Sequence, residues 1–395
     1  MPALTGSPNR YTLNVNQTLR KPDIADAILL LQPDASPLTV LSKRLNKSPT
    51  HNPLFQWAED DLDPRFSACP AGATNVATSF AVTAGQGSYF QGYDLVKVTT
   101  TGEILRVTGV ATDTLTVQRG IGQGGTGTTI GAGAELLLLG SAMPEGATSK
   151  PARSNNATMA TNYTQIFRKP IESTETWIHS DQFTTQNDWD YQLAKEGIEH
   201  LKDIEEAFLQ GRAMEDTTAL TVAGITGAPV VRSTGGAIPF ITTNVTAAGG
   251  TFTETSFFAA LRGVFRYGSQ TKTMFASGLV VDVMNAYARS KVQIPTMSED
   301  TYGLQVVKYQ SPHGTINLVR HWLLEGTTYS GYAVILDMSN VKYRYLANEK
   351  GSRDTHVREN IQAPDADTQK NEYLTECGLQ FGLQATHGLI TGVTG

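Results

Sequence analysis

Residues 187–212 constrain the fold more than any other stretch. Trp189, Leu193, Ile198, Leu201, Ile204 and Phe208 fall on one broad stripe, and Lys195, Glu196, Glu199, Lys202, Asp203 and Glu206 fall opposite. Asn187 suits an N-cap, Asp188 and Asp190 suit the first turn, and Gly211 suits the stop. At ~1.5 Å per residue, such a helix is a rod of about 40 Å with one dry side. A rod of that kind needs a sheet or another helix to lie on. The rest of the chain offers mainly short β-branched runs and turns.

Composition narrows the class. Charged residues are 17% of the 395, below the usual ~25%, with glycine, threonine and other uncharged polar residues in their place. That mix suits strands and loops, and a surface largely covered by neighbours. A formal net charge of −6 argues against a general nucleic-acid binder. Two cysteines, Cys69 and Cys377, cannot make a disulfide framework. Residues 1–20 lack the apolar core of a signal peptide. Runs such as 27–31 (AILLL) and 135–140 (ELLLLG) are far too short to span a membrane as helices. The expectation is a soluble protein made in a reducing cytoplasm.

Along the chain, residues 1–65 read as an extended arm punctuated by prolines, with one short helix over 22–31 and the anchors Phe55 and Trp57 near its end. Residues 93–140 read as a compact β module of short strands: 94–98, 103–110, 114–119 and, after a glycine loop, 135–140. Beyond the long helix, 217–261 carries almost no charge. A helix is predicted over 277–293, with strands over 304–309, 315–324, 332–338 and 341–347. Leu379, Phe381, Leu383 and Ala385 alternate like a half-buried strand, which predicts a last strand over 377–392. No repeat of 20–50 residues is visible.

Each motif that suggests chemistry fails its context. Gly120, Gly122 and Gly125 satisfy the dinucleotide spacing G-x-G-x-x-G, but such glycines must open a helix that holds the pyrophosphate. Here residues 120–134 run through glycine and threonine into another strand, so the loop reads as a hairpin tip. Glu196, Glu199, His200 and Asp203 resemble a zincin helix with its first histidine replaced, and no second ligand set accompanies them. Ser269 and Lys272 form an S-x-x-K pair without its companion motifs. No two of the seven histidines stand at metal-ligand spacing. The expectation is therefore no enzyme, no cofactor and no metal. Residues 342–372 carry balanced charge, including Lys350, Arg353 and Arg358 against six acidic residues. That pattern suits either a solvated loop or a surface that sets register between subunits.

Five stretches carry a resemblance: 52–65 (NPLFQWAEDDLDPR), 164–177 (TQIFRKPIESTETW), 191–211 (YQLAKEGIEHLKDIEEAFLQG), 224–245 (GITGAPVV with ITTNV) and 332–346 (YAVILDMSNVKYRYL). In this order and spacing the chain resembles tailed-phage major capsid proteins of the SU-ten-like branch. The resemblance covers most of the chain and implies an α+β, Hong Kong 97-type capsid fold. It implies an N-terminal arm over 1–60 and an extended loop over 61–165, with an inserted β module at about 85–142. A peripheral domain over 166–255 would hold the spine helix 187–212, and an axial domain would cover 256–340. Residues 341–395 would return to the peripheral domain and end in the C-terminal strand.

The resemblance also implies the partners. They are copies of the chain in hexamers and pentamers, a separate scaffolding protein, a portal, a possible decoration protein, and packaged DNA touched only weakly. Some relatives begin with a scaffolding segment of about a hundred residues, and the arm here is too short to include one. Some relatives cross-link through Lys and Asn, and no motif places such a pair here. Contacts between subunits are expected at Phe55, Trp57 and Arg65, at Gly122, Gly124 and Gly125, and at Lys350, Arg353 and Arg358. The alternatives are a phage tail-tube or decoration protein, and a hydrolase using Ser269 and Lys272.

Overall fold

A computed structural model describes residues 36–122, 125–153, 156–180, 188–217, 230–291, 307–326 and 328–394. The chain divides into two compact units, residues 58–159 and the remainder. The helix expected over 22–31, the N-cap Asn187, and parts of the 224–245 and 304–309 stretches lie outside the described residues.

Residues 58–159 form a six-stranded antiparallel sheet. Its order is Phe66–Cys69, Ala134–Ser141, Asp94–Val98, Ile104–Ala111, Thr114–Gln118 and Ser79–Ala81. The chain just after the last of these returns to the first, where the Thr83 N–H donates to the Ala68 carbonyl at 3.0 Å, so the sheet curls into a small barrel. Strict alternation builds its inside: Val96, Val98, Leu105, Val107, Leu115, Val117 and Leu136 are all buried on one face.

The remainder holds two more six-stranded sheets. In the first, Lys47–Thr50, Val341–Asn348, Thr368–Phe381 and Gln165–Thr174 lie side by side, with Gly351–Ser352 and His356–Arg358 added at the margins. Residues 36–57, read from the sequence as part of an extended arm, contribute helix α1 (Pro37–Leu45) and the edge strand Lys47–Thr50. After a single turn α2 (Glu175–Ile178), the long helix α3 runs Asp188–Gln210. Its dry side packs on the first sheet, with Ile204, Phe208 and Leu209 fully buried and Phe208 edge-on to Tyr343 at 6.0 Å.

The second sheet runs Val245–Thr251, Gly388–Thr394, Ala333–Leu336, Thr271–Ala276, Gly314–Arg320 and Val307–Ser311. It follows the one-turn α4 (Ala237–Phe240) and is flanked by α5 (Glu254–Val264) and α6 (Gly278–Lys291). Both of its faces are buried. Val334 and Leu336 turn into the core shared with α3, while Ala333 and Ile335 turn into the core under α5 and α6. That explains the uninterrupted apolar run Ala333–Leu336, since only a strand covered on both sides reads this way.

Two strand predictions are corrected. The strand expected over 315–324 ends at Arg320, and Trp322–Leu324 form a short 3-10 turn. The single last strand expected over 377–392 is two strands in two sheets: Thr368–Phe381 in the first and Gly388–Thr394 in the second. The chain breaks at Leu383, which takes a left-handed φ of 54° and opens a 3-10 turn. The hydrophobic alternation runs through the break, so the pattern hides it.

Candidate assembly surfaces and internal anchors

The glycine loop is held from inside its own barrel. Arg119, just after the strand Thr114–Gln118, forks onto Glu103, with Nε to Oε1 at 2.9 Å and Nη2 to Oε2 at 2.8 Å. The same carboxylate accepts the Gly120 N–H at 3.2 Å, the Thr128 N–H at 2.9 Å and the Thr128 hydroxyl at 2.8 Å. Burial pushes the Glu103 carboxyl up, but Arg119 and the loop donors outweigh it and hold it at about 2.

The glycines serve close approach to the chain's own backbone. A Cβ on Gly127 would sit 2.3 Å from the Asn75 carbonyl oxygen, and one on Gly125 would sit 2.7 Å from that of Gly120. The loop then bridges through Ile130 to Ala73 and enters the strand Ala134–Ser141, with no helix to hold a pyrophosphate. Gly122 and Gly125 are exposed, and Gly124 lies outside the described residues. Removing 121–132 would take Thr128 from Glu103, so the whole loop cannot be cut away without touching the barrel.

The remaining expected contact residues separate into covered and open ones. Phe55 is buried against Gly378, where a Cβ would sit 3.0 Å from its ring, and it stacks on Trp57 at 6.1 Å. Phe55 is thus packed within its own chain. Trp57 is half-buried and Arg65 is exposed. Arg353 donates to Glu376 at 2.5 Å within its own sheet. Lys350, at a turn, and Arg358, at a strand end, are exposed.

Further pairs zip the charged segment to the rest of its chain: Lys47 with Asp354, Lys370 with Glu172 at 2.9 Å, and Glu372 with Arg168. Apolar side chains lie open on the barrel's outer face. Phe66, Leu137, Lys97 and Ile104 line up across four strands by register, with Phe66 44% exposed and Leu139 nearby 45% exposed.

The suggested chemistries do not assemble. Ser269 and Lys272 do not bond to each other. The Ser269 hydroxyl reaches the Thr271 carbonyl at 2.6 Å and Asp337 at 3.0 Å. Lys272 is fully buried on the strand Thr271–Ala276 and donates to the carbonyls of Thr386 at 2.6 Å and Tyr267 at 3.0 Å. Desolvation lowers the Lys272 pKa, with Asp337 opposing. Burial raises the Asp337 carboxyl, but hydrogen bonds from Ser339 and Ser269 bring it below its ordinary value. This knot braces the second sheet.

His200 and Glu196 diverge. His200 is buried, its Nε2 lies 2.7 Å from the Thr375 hydroxyl, and its ring stacks on Tyr373 at 5.8 Å. Glu196 instead lines an open cavity of about 370 Å³ at the start of α3, beside Trp177 and Trp189. Glu199 and Asp203 each lie 3.3 Å from Lys169. Among the described residues no group of three His, Cys, Asp or Glu side chains is placed to hold a metal. Sequence reasoning missed the anchors Glu103 and Glu205. For Glu205 a signal existed, because it stands four residues after Leu201 and three before Phe208, inside the dry stripe.

The family is decided by the sequence as a whole. Residues 8–394 match the family model described as SU10 major capsid protein. The chain belongs to that family. It is therefore a structural protein of a phage head that forms capsid shells, not an enzyme. Solved structures similar to it include a chain of Mycobacterium phage Adephagia (12% identity, 98% of this chain and 99% of that chain, TM-score 0.49). Another is from Mycobacterium phage Bobi (11% identity, 96% of this chain and 97% of that chain, TM-score 0.49). A third is the capsid of a native GTA particle (10% identity, 98% of this chain and 100% of that chain, TM-score 0.46). No curated protein matches the chain in sequence.

Proposed function

We propose that copies of this chain close into the icosahedral head of a tailed phage, as hexamers and pentamers around a double-stranded DNA genome, with a Hong Kong 97-type subunit. The near full-length match to the capsid family over 8–394 carries this reading. On it, 58–159 belongs to the extended loop, α3 is the spine of the peripheral domain, and the second sheet is the axial domain. Shells assemble in the host cytoplasm with a separate scaffolding protein and a portal, and a decoration protein is an optional addition.

Exposed apolar groups on the barrel, including Leu62 at 96% and Val76 at 77% exposure, support burial by neighbours. We assign Trp57, Arg65, Gly122, Gly125, Lys350 and Arg358 to contacts between subunits. Each such contact is weak, and a closed shell engages many at once. With −6 net charge and an acidic outer stripe on α3, the wall meets packaged DNA only weakly.

Negative-stain microscopy of the chain expressed with its neighbouring phage genes tests the reading. Closed angular shells with rings of five and six are expected. Tubes would move the assignment to a tail protein, and monomers alone under all conditions would overturn it.

A further inference from the structure

Glu205 is fully buried in the C-terminal third of the long helix. Its two oxygens are saturated. Oε1 accepts the Leu38 N–H at 2.7 Å and faces His321 Nε2 at 2.6 Å, and Oε2 accepts the Thr39 N–H and the Thr39 hydroxyl, each at 2.6 Å. The Leu323 N–H donates to His321 Nδ1 at 3.2 Å. That leaves Nε2 as the protonated nitrogen, donating to Glu205.

The carboxylate therefore caps α1 from 166 residues away. Ser36, the residue in the N-cap position, makes no side-chain cap bond. A nine-residue helix is marginal by itself, and its first N–H groups need acceptors. Here the side-chain acceptor for those groups comes from α3.

What α1 belongs to is peripheral. It is followed by Lys47–Thr50, which among the described residues is an edge strand paired with Val341–Asn348 alone. Leu38 enters the core, and Asn46 donates to the carbonyls of Met338 at 2.8 Å and Val341 at 3.1 Å. The other strands of the first sheet pair with one another without this segment. Undocking it would open one sheet edge and the sites of Leu38 and Leu41, and release Lys43 from Thr355 and Lys47 from Asp354, while the other strands of both sheets stay paired.

We propose that residues 36–50 form a strap that docks and undocks as a unit, with the Glu205 carboxylate as its latch and His321 as the latch's support. Docking satisfies the carboxylate, and the carboxylate satisfies the strap, so the two events are one. Such a strap belongs to the single subunit and operates whether or not shells form.

Hydrogen exchange read by mass spectrometry on the full chain tests it. In Glu205→Gln the amide group faces donors with a donor. Exchange across 38–50 is expected to rise at least tenfold, while peptides from Thr271–Ala276 and Ala333–Leu336 stay within about twofold of wild type. Thr39→Val, which removes one hydroxyl donor, should give a smaller rise confined to the same residues. Uniform acceleration, or no change over 38–50, would overturn the proposal. Should Glu205→Gln not fold, the wild-type chain in sub-denaturing urea decides: strap amides exchanging through an earlier opening than Ala333–Leu336 support the strap, and a shared opening refutes it.

Discussion

The barrel of residues 58–159 and the two-sheet body handle buried polarity in opposite ways. The barrel holds few buried polar side chains: Glu103 gathers Arg119 and the loop donors, Asp94 pairs with Lys150, and Ser67 donates to Gln86, beside a core that is largely aliphatic and aromatic. The body scatters it: His200, Glu205, Lys272, Asp337 and His387 are each buried, at several seams between elements. A body that stacks a helix and two sheets has seams in several places, and each seam traps a polar group that must find a local partner. The barrel should therefore depend most on its Glu103 node, which gathers the most donors, and the body should fail by degrees.

The largest expected effect of a single substitution breaks the barrel node. Glu103→Ala takes the counter-charge from the Arg119 guanidinium, leaving it the carbonyls of Thr74, Ala77 and Thr128, and leaves three loop donors without their acceptor, which should cost about 3–5 kcal/mol. Each unit carries one fully buried free thiol, Cys69 in the barrel and Cys377 in the body. Thiol labelling in a denaturant series should show Cys69 opening earlier and Cys377 unmoved. Equal shifts at both would show that the two regions unfold as one.

The next effect comes from acid and should fall on the body alone. Desolvation lowers both His200 and His387 from the ordinary 6.5 to about 4. A depressed histidine means the unfolded chain binds the proton first. Stability is then full above about pH 6.5, declines as pH falls from 6.5 towards 4, and levels off below. The loss should be on the order of 3 kcal/mol per histidine. Residues 58–159 contain no histidine, and Glu103 at about 2 keeps its contribution until pH falls below the ordinary glutamate range. All four tryptophans lie in the other unit, so their fluorescence reports the body. A midpoint that moves between about pH 6.5 and 4 by tryptophan emission but not by Cys69 labelling is expected. His200→Gln should remove about half of the movement.

Part of this contrast was legible in the sequence. The stripe from Trp189 to Phe208 placed α3 because its apolar residues kept one period over many turns. The barrel strands were legible because apolar residues that alternate between turns are what a strand with one buried face requires. The loop's failure as a nucleotide site was legible from the missing helix. The polar anchors were hidden for a physical reason: their partners are far away in sequence. Glu103 meets residues 16 to 25 positions on, and Glu205 meets Thr39 and His321 at separations of 166 and 116. The break at Leu383 was hidden because a leucine with positive φ leaves no mark in a hydrophobic pattern.

A smaller effect sharpens the reading of the glycine loop. Gly127→Ala places a methyl against the Asn75 backbone, which cannot retreat as a side chain could. About 1–3 kcal/mol of barrel stability should be lost, again seen at Cys69 and not at Cys377. A neutral result would mean that the loop's glycines are not needed for its packing and would leave contact with other subunits as their reason.

The smallest effect separates surface charge from buried charge within the body. Lys169 lies between Glu199 and Asp203 on the outer stripe of α3, at 3.3 Å from each, and is partly open to solvent. Its two partners raise its pKa against a desolvation penalty that works the other way. Water screens such a bridge, so Lys169→Ala should lower stability by no more than about 1 kcal/mol, and less in high salt. A loss of several kcal/mol that persists in salt would mean the outer stripe of α3 behaves as a seam like those at His200 and Lys272. The body's polar groups would then have to be counted on both sides of its helix, and the contrast with the barrel would lie in the number of nodes rather than in their burial.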